Sequence, residues 1–279
     1  MLIVTYNIRW GKGRDGRIDL RRIADAVRDA DLIALQAVER HWRDQEFPDQ
    51  ALRLAELIPG YHWVYGAAID LGGPVRNLRR QIGNMLLSRY PIASTRHLPL
   101  PSRPVPGHVN DHQQMIEAVI ASGAGFRFYN TALNDLAPAQ RVEQLELALR
   151  FIAEAPERGA AITMPGRVEL GPEDEWIVLP DGTPPVMPGP ALIAGDFNCG
   201  PKSGEYAMIA SAGFHDALAL AGFAPEQGVT YAGGVGKPPQ RLDHIFLSAG
   251  LAARCRRAWI DQAADGSDHQ PVWMELASP

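Results

Sequence analysis

The apolar run Ala191-Leu192-Ile193-Ala194, closed by Gly195-Asp196-Phe197-Asn198, constrains this chain more than any other stretch. A short apolar run ending in Gly and Asp reads as a buried strand that runs out into a loop. Such a strand end lifts a carboxylate and a carboxamide onto the rim of a sheet, side by side. One is a hard anionic oxygen donor. The other is a neutral oxygen donor that also hydrogen-bonds. Such pairs suit Mg²⁺ or Mn²⁺, which take oxygen ligands and keep positions open for water and phosphate. Read in isolation, the same residues fit equally well as the cap of a helix starting near Ser203-Gly204-Glu205.

The rest of the chain supplies a sheet pair for that strand. Residues 2–8, 31–36, 61–66, 85–87, 115–120, 126–130, 241–247 and 271–276 read as strands. Apolar residues at helical spacing place helices at 18–30, 48–58, 138–153 and about 205–212. Many strands follow one another with no helix between them. That favours a mixed sheet pair with outer helices over a doubly wound parallel sheet. Residues 155–190 turn rich in Pro and Gly and read as an insertion or lid within one domain spanning 1–279.

Composition narrows the partners. A net charge of −5 argues against a broad basic face for duplex nucleic acid, though not against a local basic groove. Cys199 and Cys255 are too few for a disulfide scaffold and have no metal-like spacing. No apolar run approaches the ~18 residues of a membrane span, and the first residues lack a secretory pattern. The expectation is a soluble, cytoplasmic monomer with no integral membrane association.

Polar residues recur at the strand ends: Asn7, Gln36, Asn130-Thr131, Asp196 with Asn198, Asp243-His244, and Ser267-Asp268-His269. One carboxamide at a strand end is commonplace. Six such places converging on one rim are what an active site built on loops over a rigid scaffold requires.

With those residues in place, the chain resembles the endonuclease/exonuclease/phosphatase (deoxyribonuclease I-like) superfamily. The matching stretches are Thr5-Tyr6-Asn7-Ile8, Leu35-Gln36, Gly83-Asn84-Met85-Leu86-Leu87-Ser88, Asn130-Thr131, Gly195-Asp196-Phe197-Asn198, Arg241-Leu242-Asp243-His244-Ile245 and Ser267-Asp268-His269, in family order. The resemblance implies an α/β fold: a four-layer α/β sandwich of two packed mixed β-sheets flanked by helices. It implies Asn7 and Asp268 as metal-site residues. Asp196 and Asn198 would bind or orient water, phosphate or a second metal. His269 would be the catalytic histidine, with Asp243 holding its imidazole. A carboxylate behind a histidine fixes its tautomer and raises its basicity, which agrees with that casting.

Two positions depart from the family pattern. The family motif Leu-Gln-Glu-Val carries the principal metal-binding Glu where this chain has Ala37. The family motif Asn-Thr-His-Leu carries a phosphate-contacting His where this chain has Ala132. Their flanks are intact. A drifting pseudoenzyme would lose other site residues too. Glu39 as a shifted ligand would sit about 7 Å further along an extended strand, too far for the same coordination point. Two losses, both to alanine and both at chemistry-bearing positions, point to a deliberately inactivated variant of a metal-dependent phosphodiesterase using Mg²⁺ or Mn²⁺.

The substrate is less constrained. The surface charge and the long insertion favour a small or lipid-like phosphodiester. A DNA or RNA nuclease and a non-catalytic binding module are the alternatives. Arg76, Arg79 and Arg80 form a cationic run, read either as a solvated loop or as a clamp for anionic substrate at the site mouth. His108 and His112 read as a surface turn. Trp10, Trp42 and Trp63 could line a mouth that stacks a base or grips a cation, with packing the more ordinary role.

Overall fold

A computed structural model describes residues 1–43, 48–73, 75, 77–163, 169, 171–174, 187–234 and 236–277. The strands are β1 (Leu2–Asn7), β2 (Leu32–Arg40), β3 (His62–Gly72), β4 (Arg79–Ser88), β5 (Ile92–Pro99), β6 (Gln114–Ile120), β7 (Phe126–Ala132), β8 (Ala191–Asp196), β9 (Phe214–Asp216), β10 (Asp243–Ser248), β11 (Cys255–Ile260) and β12 (Val272–Leu276). The helices are α1 (Leu20–Val27), α2 (Gln50–Leu57), α3 (Pro138–Arg158), α4 (Gly204–Ser211), α5 (Ala217–Leu220) and α6 (Ala249–Ala252).

Two six-stranded mixed sheets result, ordered β11-β12-β1-β2-β4-β3 and β5-β6-β7-β8-β10-β9. The pairs β1–β2 and β7–β8 are parallel. The central strands are apolar throughout because both their faces are buried. On β1, β2, β8 and β10, Ile3, Leu32, Ala34, Leu192, Ala194, Ile245 and Leu247 point into the core between the sheets. The alternate residues Val4, Tyr6, Ile33 and Leu35 pack outward against α1 and α2. Tyr129, Ile193 and Phe246 do the same on the other sheet, against α3 and α4. The result is the four-layer α/β sandwich.

Local chemistry sets the helix limits more tightly than periodicity does. Asp19 caps α1 by accepting from the Arg21 N–H at 2.8 Å, and Asp49 caps α2 by accepting from that of Leu52. Both helices are shorter than their apolar pattern. The helix α3 runs further, past Pro156 to Arg158, and stops at Gly159 with φ +75°. Proline at 156 leaves the Ile152 carbonyl without its helical donor, and the Arg127 guanidinium donates to it at 2.5 Å. Residues 155–158 are therefore helix rather than the start of an insertion. Most of the Pro/Gly-rich stretch, 164–168, 170 and 175–186, lies outside the described residues. Among the described residues, no helix is long and apolar enough to cross a membrane.

The C-terminal ends of β1, β2, β7 and β8 gather at one end of the sandwich. Register aligns Asn7 with Gln36, Ala132 with Asp196, and Asp196 with Asp243. Beneath that end, Gln36 on one sheet donates to Asn130 Oδ1 on the other at 2.8 Å. Asn130 in turn donates to the Leu35 and Met85 carbonyls. The two carboxamides bolt the sheets together under the site. They do not reach its rim.

Candidate active site

A cavity of about 540 Å³ opens at that end. Asn7, Ala37, Ala132, Asp196, Asn198, Asp268 and His269 all line it. A break in strand register brings Ala37 there. Its pairing with β4 shifts between Leu35 and Val38, and Ala37 is the extra residue, with φ +56°. In a regular strand it would share the outward face of Ile33 and Leu35. The bulge turns it into the cavity and returns Val38 to the outward core. Ala132 ends β7 directly opposite Asp196.

His269 and Asp243 form the deepest pair. His269 Nδ1 lies 2.8 Å from Asp243 Oδ2, and its Nε2 lies 3.9 Å from Asp196 Oδ2. Asp243 is fully buried, and its Oδ1 has no hydrogen-bond partner among the described residues. Burial by itself would lower the His269 pKa, but Asp243 and then Asp196 outweigh it and raise it to about 9. The two carboxylates thus favour the imidazolium, the form in which Nδ1–H donates to Asp243. Burial, and then the nearby charge of Asp243, push the Asp196 carboxyl upward. His269, the Asn198 N–H and the Asn7 amide work against that rise. A cationic ring held in this way can donate to a phosphoryl oxygen or to a departing alkoxide.

The carboxamides are pinned as well. Asn7 Nδ2 donates to Asp196 Oδ2 at 2.8 Å, and Asn7 Oδ1 accepts from the Arg9 N–H at 3.0 Å. Asn198, at φ +49°, donates its N–H to Asp196 Oδ1 and its side-chain amide to the Leu133 carbonyl. Arg9, Trp10 and Gly11 then occupy the left-handed region in succession, at φ +43°, +49° and +75°. Two non-glycine residues in that region store strain of order 1–2 kcal/mol each. That turn delivers the Arg9 guanidinium to Asp268, at 2.7 Å.

These donors do not make an oxygen cage for a divalent ion. Asp196, Asp243 and His269 offer atoms within 4.8 Å of one another, but two of the three are bonded to each other. Ala37 contributes no oxygen. Arg9 already balances Asp268, and one lone pair of the Asn7 carbonyl oxygen accepts from the Arg9 N–H. Mg²⁺ and Mn²⁺ are held mainly through carboxylates, and here Asp196, Asp243 and Asp268 already have hydrogen-bond or ion-pair partners.

Other candidates from the sequence lie elsewhere. Arg79 and Arg80 are not in a loop at the site mouth. They begin β4 as exposed residues, Arg79 pairs with Asp70 at 2.8 Å, and neither lines the cavity. Arg76 lies outside the described residues. Glu39 is fully buried and paired with Arg43, away from the cavity. His244 turns to the outer side of its sheet, where it contacts Asp216 and the Cys199 carbonyl. Of the three tryptophans, Trp10 lines the cavity. Trp42 and Trp63 do not. Residues given no role from sequence do line it: Arg9, Asp111, His112, Asp135, Tyr231 and Lys237. Arg9 stands two positions after Asn7, a spacing that could have marked it. Tyr231 and Lys237 come from a Gly-rich loop with no such signal.

The profile of the Endonuclease/Exonuclease/phosphatase family matches residues 4–269, and the chain belongs to that family. The family comprises phosphate-ester hydrolases, and its enzymes use divalent metal ions. No curated protein matches the sequence. Among solved structures, an endonuclease/exonuclease/phosphatase from Beutenbergia cavernae aligns over 99% of this chain and 72% of its own, at 20% identity and TM-score 0.72. A mannosyl-6-phosphatase from Bacteroides thetaiotaomicron aligns over 99% of both chains, at 20% identity and TM-score 0.68. A 3'-5' exonuclease from Neisseria meningitidis aligns over 99% of this chain and 100% of its own, at 17% identity and TM-score 0.58. At these identities the likeness is one of fold.

Proposed function

We propose that this chain is a phosphodiester-hydrolase scaffold, built for a small or lipid-like phosphodiester, that binds its ester without turning it over. The observation that carries this reading is the position of the two alanines. Ala37 and Ala132 line the same cavity as Asp196, Asp268 and His269. A bulge with Ala37 at φ +56° turns residue 37 there, although its methyl group offers no chemistry.

The residues that remain support part of a phosphoryl-transfer site. The His269 imidazolium offers Nε2–H to a phosphoryl oxygen, and Asp243 fixes the ring behind it. Arg9 adds a second cation at Asp268. Phosphate is anionic, and the N–H groups of His269 and Arg9 are donors suited to its oxygens. Turnover also needs a positioned nucleophile and more positive charge on the transferring group, which the family Glu and His positions would serve. With the carboxylate and the imidazole returned by Ala37→Glu and Ala132→His, the expected cofactor is Mg²⁺ or Mn²⁺.

The test is hydrolysis by the Ala37→Glu, Ala132→His double variant with Mg²⁺ or Mn²⁺. The panel is bis-p-nitrophenyl phosphate, a glycerophosphodiester, sphingomyelin and plasmid DNA. Turnover of a small or lipid-like diester ahead of plasmid supports the reading. Preferential nicking of plasmid would replace it with a nuclease, and silence on the whole panel would leave a binding module.

A further inference from the structure

The cavity does not end at Asp268. A second, open depression of about 470 Å³ lies beside it, lined by Arg9, Arg14, Tyr231, Lys237, Asp268 and residues 232–234. The two spaces share Arg9, Tyr231, Lys237 and Asp268. Three cations thus face one carboxylate in a chain whose net charge is −5.

The counter-charges are spent unevenly. Arg9 pairs with Asp268 at 2.7 Å, and Lys237 pairs with Asp135 at 3.5 Å across half-exposed side chains. Arg14 has neither an ion pair nor a hydrogen bond among the described residues. Of the three, Arg14 alone has no counter-charge among the described residues, and a bound anion would supply one.

The backbone that carries these side chains is held in place by its own hydrogen bonds. Arg14 sits in a tight turn closed by the Gly13 N–H on the Arg17 carbonyl and the Gly16 N–H on that of Gly13. A Cβ at Gly13 would stand 2.6 Å from the Asp265 carbonyl oxygen, so only glycine lets the turn lie against the loop that leads to Asp268. Opposite, Tyr231 pairs in backbone register with both Gln240 and His269, and the Ala232 N–H donates to the Asp268 carbonyl at 2.9 Å. Both walls are therefore tied to the turn that carries Asp268 and His269.

We infer that this depression is a second anion subsite, which takes a non-reacting phosphoryl group of a substrate whose other phosphoryl group lies over His269. The inference rests on the phosphoester reading above and narrows it to small esters carrying two phosphoryl groups. Arg14 and Lys237 are then specificity residues, and the guanidinium of Arg14 supplies paired N–H donors for phosphate oxygens.

Calorimetric titration of the chain as it stands with inorganic phosphate and with inorganic tripolyphosphate tests this, beside Arg14→Gln, Lys237→Gln and the control Arg150→Gln. Arg150 is exposed on α3, outside both spaces. The expected result is a preference for tripolyphosphate that falls about three- to tenfold in Arg14→Gln and in Lys237→Gln, with phosphate affinity held in Arg14→Gln, which lines the second space alone, and Arg150→Gln unchanged. An unchanged preference, or an equal fall in Arg150→Gln, would overturn the subsite, because charge alone would then explain the binding. Failure of the double variant to hydrolyse any ester would instead overturn the hydrolase reading, whatever the titrations give.

Discussion

Replacing Asp243 by Asn removes the charge behind His269 while keeping the shape of the side chain. The carboxylate is fully buried, and its Oδ2 lies 2.8 Å from His269 Nδ1. Burial alone would lower the histidine pKa, and Asp243 is the foremost cause of its rise from 6.5 to about 9. That rise is a preference of about 3 kcal/mol for the imidazolium in the folded state. The group titrates higher when folded, so its stabilisation is fully present below pH 6.5 and is lost as pH rises through about 9. In Asp243→Asn, Asp196 remains 3.9 Å from the ring, but burial regains control and His269 titrates lower. Urea unfolding followed by tryptophan fluorescence should show the variant less stable at pH 6, by up to about 3 kcal/mol because Asp196 still faces the ring, with the gap closing toward pH 10. A histidine NMR titration should show the imidazole pKa falling in step. Equal destabilisation at both pH values would refute the reasoning. It would mean that a neutral hydrogen bond, not an ion pair, joins the two residues.

Three further outcomes follow from geometry. Gly195→Ala would place a Cβ 1.8 Å from the Thr131 carbonyl oxygen, so the variant should lose ~3 kcal/mol or more in thermal unfolding, or fail to fold. Ala37→Gly relieves a methyl-bearing residue at φ +56° and should raise stability by about 0.5–1 kcal/mol in the same assay. Arg9→Gln frees Asp268 from its 2.7 Å partner, so Mn²⁺ binding read by electron paramagnetic resonance should tighten several-fold, while inorganic phosphate binds more weakly.

Much of the architecture is legible in the sequence because its signals are local. Apolar runs such as 191–194 and 31–36 mark strands buried on both faces; Asn7 and Asp196 sit where β1 and β8 run out, and Asp268 and His269 lie in the turn before β12. β5 escapes such a reading because it is an edge strand, half-exposed, and its Ser94-Thr95-Arg96-His97 stretch reads as polar loop. Arg79 and Arg80 are misplaced by it for a related reason: a long two-stranded arm continues past the buried part of β4, and its residues carry charge rather than apolar alternation. The bulge at Ala37 leaves no mark in sequence, since it comes from pairing with β4 rather than from the residue itself. Arg9 reaches Asp268 only through a left-handed turn. Tyr231 and Lys237 join the site through contacts more than 30 residues distant in the chain, as in the Tyr231–His269 bridge.

The proposed function rests on Ala37 and Ala132, which line the cavity beside Asp196, Asp268 and His269. Its most direct test is the rate of bis-p-nitrophenyl phosphate hydrolysis, with saturating Mg²⁺ or Mn²⁺, by the chain as it stands, Ala37→Glu, Ala132→His and the double variant. The account predicts background hydrolysis for the first, and a gain of at least ~10³-fold for the double variant that neither single change reaches. Hydrolysis by the unaltered chain at the double variant's rate, or no gain in the double variant, would contradict it.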